Sequence, residues 1–167
     1  MTTTLAHRVG TLTDLIVGVR TAVSAHADWT DTAQLVAEQL REHLPGPDVL
    51  TPEQRLGSPD DYIAHTLYVE PDGSFSIIAV IWRPGQTTRI HDHVTWCALG
   101  VIQGVEHFDA ELNLIGHNEN HVGDVSGFAP PGDIHRVRNT GETTAISIHV
   151  YGTDVTRIGG SARRYYN

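Results

Sequence analysis

The sequence predicts an all-β core, a small barrel or jelly roll, preceded by two α-helices. Three observations carry that expectation. Apolar residues keep helical spacing only within the first 46 residues, β-branched and aromatic residues arrive in short runs from Tyr62 to Tyr151, and Gly, Pro, Asn and Asp break those runs at close intervals. Many short antiparallel strands must hide their edges, which closure or a double sheet achieves. With 167 residues the chain is read as one domain over 1–167, with a helical leader over 1–46 and a barrel over 62–155.

In order along the chain, the spacing of Leu12, Leu15, Ile16, Val19 and Val23 predicts an amphipathic helix between about His7 and His26. A second helix starts near Thr30 or Asp31, either of which is a suitable cap, and carries Leu35, Val36, Leu40 and Leu44. Pro45-Gly46-Pro47 stops it, and Pro47 to Asp61 reads as a connecting loop. Pro71-Asp72-Gly73 then joins strands at His65–Val69 and Phe75–Trp82 as a tight hairpin. Pro84-Gly85, Gly116, Gly123, Pro130-Pro131-Gly132 and Thr140-Gly141 separate the strands that follow.

Eleven Lys and Arg against twenty Asp and Glu give a formal charge of −9, which argues against a nucleic-acid or anionic-membrane partner. The longest apolar run, Ile77 to Trp82, is far below the roughly 20 residues of a bilayer span, and Met1-Thr-Thr-Thr lacks signal-peptide features; a cytosolic protein is expected. The single cysteine, Cys97, permits no internal disulfide. Eleven histidines are the compositional oddity, and histidine is the commonest metal ligand and near-neutral proton carrier.

His91 and His93 stand two apart, so on a strand both imidazoles face one side while Asp92 faces the other. That pair alone suits a metal or two polar positions on a solvated strand. Its surroundings narrow the choice. Gly85 precedes His91 by five intervening residues, Cys97 follows His93 by three, and Gly104 follows Cys97 by six. Downstream, Pro130-Pro131-Gly132-Asp133-Ile134-His135-Arg136-Val137-Arg138-Asn139 sets a Pro-x-Gly turn just before a third histidine and an asparagine four after it.

These two blocks resemble the two consensus motifs of the cupin superfamily, double-stranded β-helix barrels that hold a metal at one mouth. Where the first cupin motif has a glutamate ligand, this chain has Cys97. That departure resembles the thiol dioxygenases of the cysteine dioxygenase family, whose iron is held by three histidines. The resemblance implies His91, His93 and His135 as ligands and Fe(II) as cofactor, although zinc, nickel or manganese suits the same imidazoles. It extends through His135-Arg136-Val137-Arg138-Asn139 and Ser147-Ile148-His149-Val150-Tyr151, which is similar to the family's Ser-x-His-x-Tyr strand. Three neutral imidazoles leave a divalent ion its full charge, favouring a bound thiolate, and leave positions for a chelating substrate and dioxygen. The implied reaction delivers both oxygen atoms to the sulfur of a small thiol and needs no external reductant.

Ser147, His149 and Tyr151 occupy positions i, i+2 and i+4 of one predicted strand, suiting either a relay toward bound oxygen or substrate or a polar strip along buried water. Cys97 is either a small core hydrophobe or, as in the animal enzymes of that family, the thioether partner of Tyr151, though it sits one residue nearer the His-x-His pair than theirs. Candidates for binding the substrate are His65, at the position of the animal enzymes' arginine, Arg157, Arg163 and Arg164 near the C-terminal end, and Trp96. L-Cysteine is favoured over 3-mercaptopropionate because Cys97 resembles the cysteine enzymes. A non-redox metal-binding cupin, a sensor or an isomerase-like enzyme, is the rival class. Trp82, Trp96 and Phe108 are expected in the core; His7, His26, His43, His117 and His121 at the surface; His107 on either face of its strand.

Overall fold

The computed structural model describes residues 10–110 and 116–166. Helix α1 spans Leu12–Val23, capped by the Thr11 side chain, and α2 spans Trp29–Glu42. The α2 cap is Asp28 rather than Thr30 or Asp31, because the Asp28 carboxylate accepts the free Asp31 N–H. The expected loop over 47–61 contains a 3-10 turn, Pro47–Val49, and a one-turn helix α3, Pro52–Arg55, closed by a Thr51/Gln54 capping box. His7 lies outside the described residues, as does the His117 side chain.

Ten strands follow: β1 Ile63–Val69, β2 Ser76–Trp82, β3 Ile90–His93, β4 Cys97–Gln103, β5 Glu106–Ala110, β6 Gly116–Asn120, β7 Val125–Phe128, β8 His135–Arg138, β9 Ala145–Tyr151 and β10 Ala162–Tyr166. The short helix α4, Val155–Ile158, precedes β10. Both α4 and β10 extend past the expected end of the strands near Tyr151.

The strands form two antiparallel five-stranded sheets, ordered β1-β2-β9-β4-β7 and β10-β3-β8-β5-β6. Among the described residues no ladder joins them, so the architecture is a pair of facing sheets rather than a continuously bonded barrel. All but two strand connections, β1 to β2 and β5 to β6, cross between sheets, and every crossing but that from β3 to β4 contains a Gly or Pro corner. Gly104 shows why such a corner selects glycine: its φ is +72° and an added Cβ would sit 2.9 Å from the Ala145 Cα.

The central strands of the first sheet, β2, β9 and β4, are buried on both faces. Ile77, Ala79 and Ile81 of β2, with Ile146, Ile148 and Val150 of β9, pack against Leu15, Val19, Val36 and Leu40 of the helices. Each fully buried Ile, Leu or Val among these stabilises the fold by about 1.5–3 kcal/mol. The alternate residues, Ile78, Val80, Trp82, Cys97, Ala145 and Tyr151, point between the sheets and meet Val137. Two-sided burial explains why β2 reads as an unbroken apolar run from Ile77 to Trp82. No helix among the described residues is long and apolar enough to cross a membrane.

Candidate metal centre and its cavity

His91 and His93 lie on β3, and His91 is paired with His135 of β8, the neighbouring strand. Their three potential ligand atoms lie within 4.8 Å of one another, and all three residues are buried. Each ring is oriented through its Nδ1. His91 Nδ1–H donates to the Arg89 carbonyl at 2.8 Å, His135 Nδ1–H to the Asp133 carbonyl at 2.8 Å, and His93 Nδ1–H to the Asp133 carboxylate at 3.0 Å. With each Nδ1 committed as a donor, each Nε2 keeps a bare lone pair, the tautomer a metal requires. Burial holds the His91 pKa below, and the His135 pKa well below, the ordinary histidine value, so both rings are neutral. This buried group of nitrogen donors fits a divalent transition metal.

The chemistry of Asp133 was not anticipated from the sequence, although the residue directly follows the quoted Pro-Pro-Gly turn. Its carboxylate also accepts the His93 backbone N–H at 3.1 Å, so one residue orients two of the three imidazoles. Asp92 faces outward, as strand alternation demands, and its carboxylate accepts from Arg164 at 2.9 and 2.6 Å and from the Tyr166 hydroxyl at 3.1 Å. Asn139 closes the His-Arg-Val-x-Asn segment by donating to the Trp82 and Thr143 carbonyls, which ties β8 to β2.

The imidazoles open into a cavity of about 290 Å³ whose wall includes Tyr62, Trp82, Thr88, His149, Tyr151, Ser161 and Tyr165. Along one side runs a row of hydrogen bonds: Trp82 Nε1–H to the Ser147 hydroxyl at 3.2 Å, Ser147 to His149 Nε2 at 2.8 Å, and His149 Nδ1 to the Tyr151 hydroxyl at 3.1 Å. Burial lowers the His149 pKa to about 3 and pushes that of Tyr151 well up. Cys97 is directly opposite Tyr151 on the adjacent strand, and its buried thiol interacts with the Tyr151 hydroxyl. Glu106 of β5 was also passed over in the sequence. It has no exposed surface and stands beside Ser147 and Trp82, and burial raises its carboxyl pKa to about 8.

None of the expected substrate-binding residues lines this cavity. His65 faces Ala79 across the β1–β2 ladder, on the helix side of the sheet, and Trp96 belongs to that same helix-side core. Arg157 and Arg163 are exposed. Arg164 pairs with Asp92 because a bulge in β10 places Ala162 opposite His93 and Tyr165 opposite His91, leaving Arg164 on the outer side. No Lys or Arg is among the residues of the wall. Arg89, which is not among the wall residues, lays its guanidinium 4.4 Å from the centroid of the Tyr165 ring. Of the other histidines, His121 contacts Glu119 at 3.0 Å, His107 contacts Thr140, His43 ends α2 and His26 turns the chain after α1.

No family model matches the chain. Among solved structures, the fold is similar to a conserved protein with a double-stranded β-helix domain from Klebsiella pneumoniae, at 19% identity and TM-score 0.52 over 64% of this chain and 80% of that one. A Cupin 2 conserved barrel domain protein from Salinispora arenicola gives 21% identity and TM-score 0.50 over 66% and 92%, and a cupin-like protein from Thermotoga maritima gives 18% and 0.51 over 66% and 83%. The chain therefore has the cupin β fold, with a buried three-histidine group that could bind a metal ion.

Proposed function

We propose that this protein is a non-haem iron(II) thiol dioxygenase whose substrate is L-cysteine, converted to its sulfinic acid. The observation that carries the reading is a buried centre of three imidazoles, with no ligand carboxylate, beside the Ser147–His149–Tyr151 row. Iron(II) bound there would supply the redox chemistry that joins dioxygen to a thiolate, both oxygen atoms ending on sulfur and the thiol proton passing to solvent. The chain's own groups orient the reactants. Asp133 and the Arg89 carbonyl hold the imidazoles in their donor tautomer, and Tyr151 presents a hydroxyl to the cavity.

A wall without Lys or Arg in a chain of charge −9 supports a substrate that brings its own ammonium group over one that is only an anion. This favours L-cysteine over 3-mercaptopropionate. The hydroxyls of Tyr62, Ser161 and Tyr165 are the wall groups available to its carboxylate. Anaerobically iron-loaded protein is to be offered L-cysteine, 3-mercaptopropionate and cysteamine while dioxygen uptake and product mass are followed. Two oxygen atoms gained on cysteine is the expected result. No uptake with any thiol despite bound iron would reject the reading in favour of a non-redox metal-binding cupin.

A further inference from the structure

We infer that Glu106 is a buried neutral acid closing the inner end of the Ser147–His149–Tyr151 row, and that its proton sets the direction in which every hydrogen bond of the row points. The inference adds a positioning residue to the proposed site.

The starting observation is an unpartnered group. Both Glu106 carboxyl oxygens are buried and close no hydrogen bond, and the polar side chains acting on them are the Ser147 hydroxyl and the Trp82 indole. An isolated carboxylate in such a place is costly, and protonation removes the cost. The neighbouring strands do not oppose this. β8 turns His135 and Val137 inward, while its Arg136 and Arg138 meet Asp109 on the outer side. On β6, Glu119 lies with His107 and His121 at the surface. β2 presents Trp82, and β9 presents Ser147 with the neutral His149 beyond it. Among the described residues no charged side chain faces Glu106 from these strands.

The direction follows from counting donors. Trp82 Nε1–H can only donate, so it takes one lone pair of the Ser147 oxygen. If Glu106 is neutral its O–H takes the other, directly or through one bridging water. The Ser147 hydrogen must then go to His149 Nε2, His149 donates from Nδ1 to the Tyr151 oxygen, and the Tyr151 hydrogen is left for the cavity side, where Ser161 stands. If Glu106 is ionised it is an acceptor and draws the Ser147 hydrogen to itself. His149 then carries its hydrogen on Nε2, its bare Nδ1 accepts from Tyr151, and the tyrosine hydrogen turns inward. One buried proton thus decides whether Tyr151 offers the cavity a donor or a lone pair.

The test reads the His149 tautomer by ¹⁵N NMR of imidazole-labelled, metal-free protein, with the resonance assigned by its loss in His149→Gln. The expected wild-type result is Nδ1–H at neutral pH, changing to Nε2–H as the pH passes about 8. Glu106→Gln, whose amide can donate but not ionise, is expected to stay Nδ1–H throughout. An Nε2–H tautomer at neutral pH, a wild-type tautomer that does not move, or a Glu106→Gln tautomer that titrates like the wild type each overturns the inference. In turnover, kcat should carry an alkaline limb that Glu106→Gln removes. The NMR result needs neither metal nor thiol, so it stands or falls separately from thiol oxidation.

Discussion

Replacing Asp133 by alanine tests how the three imidazoles are held. Its side chain is 1% exposed and accepts both the Nδ1–H and the backbone N–H of His93. Truncation leaves two buried donors without an acceptor, each costing about 1–3 kcal/mol where nothing replaces it. His93 then has no reason to keep its proton on Nδ1, and a proton on Nε2 removes the lone pair a metal needs. The bonds of His135 and His91 go to backbone carbonyls and survive the substitution. One of three ligands is therefore disordered, and the expected loss of metal affinity is about 10- to 100-fold, the usual effect of removing such a partner. That corresponds to roughly 1.4–2.7 kcal/mol. Asp133→Asn keeps one acceptor oxygen and should fall between wild type and alanine. Anaerobic calorimetric titration with Fe(II) reads the affinity, and urea unfolding of the metal-free protein reads the stability. Wild-type affinity in Asp133→Ala would refute the reasoning.

Two further outcomes are expected. Tyr151→Phe should lower turnover with metal content intact, measured as dioxygen uptake against bound iron; undiminished turnover would remove the row from the chemistry. Stability of the metal-free protein should fall as the pH drops below about 6.5, because the unfolded chain then protonates histidines that burial keeps neutral in the fold: His149, held at about 3, and His91 and His135. His149 alone contributes a loss of about 2 kcal/mol at about pH 5. Urea midpoints between pH 7 and pH 5 should show a shallower slope for His149→Gln, and an equal slope would contradict the assignment.

Much of this was legible in the chain because it depends on local rules. Alternation on a strand put His91 and His93 on one face and Asp92 on the other, and it aligned Ser147, His149 and Tyr151. The helical stripe of Leu15 and Val19 and the glycine corners were equally local. What the sequence hid depends on which strands become neighbours. Glu106 reads as one more charge on a strand until β5 is packed against β9, and Asp133 reads as a turn residue until its carboxylate meets His93, 40 positions away. The two short elements after Tyr151 were missed because four-residue helices and a bulged edge strand leave little periodic signal.

The bulge in β10 fixes the electrostatic character of the cavity. In an unbulged ladder continued from the pair of Ala162 with His93, Arg164 would stand opposite His91, on the wall, and Tyr165 would turn outward. The bulge between Ala162 and Arg164 thus exchanges a guanidinium for a phenol on the wall without altering either side chain. A β10 of the same sequence and length paired without the bulge would offer substrates a cationic wall. Preference for the charge of a ligand can in this way be gained or lost by a change in register, which a comparison of residue types alone would overlook.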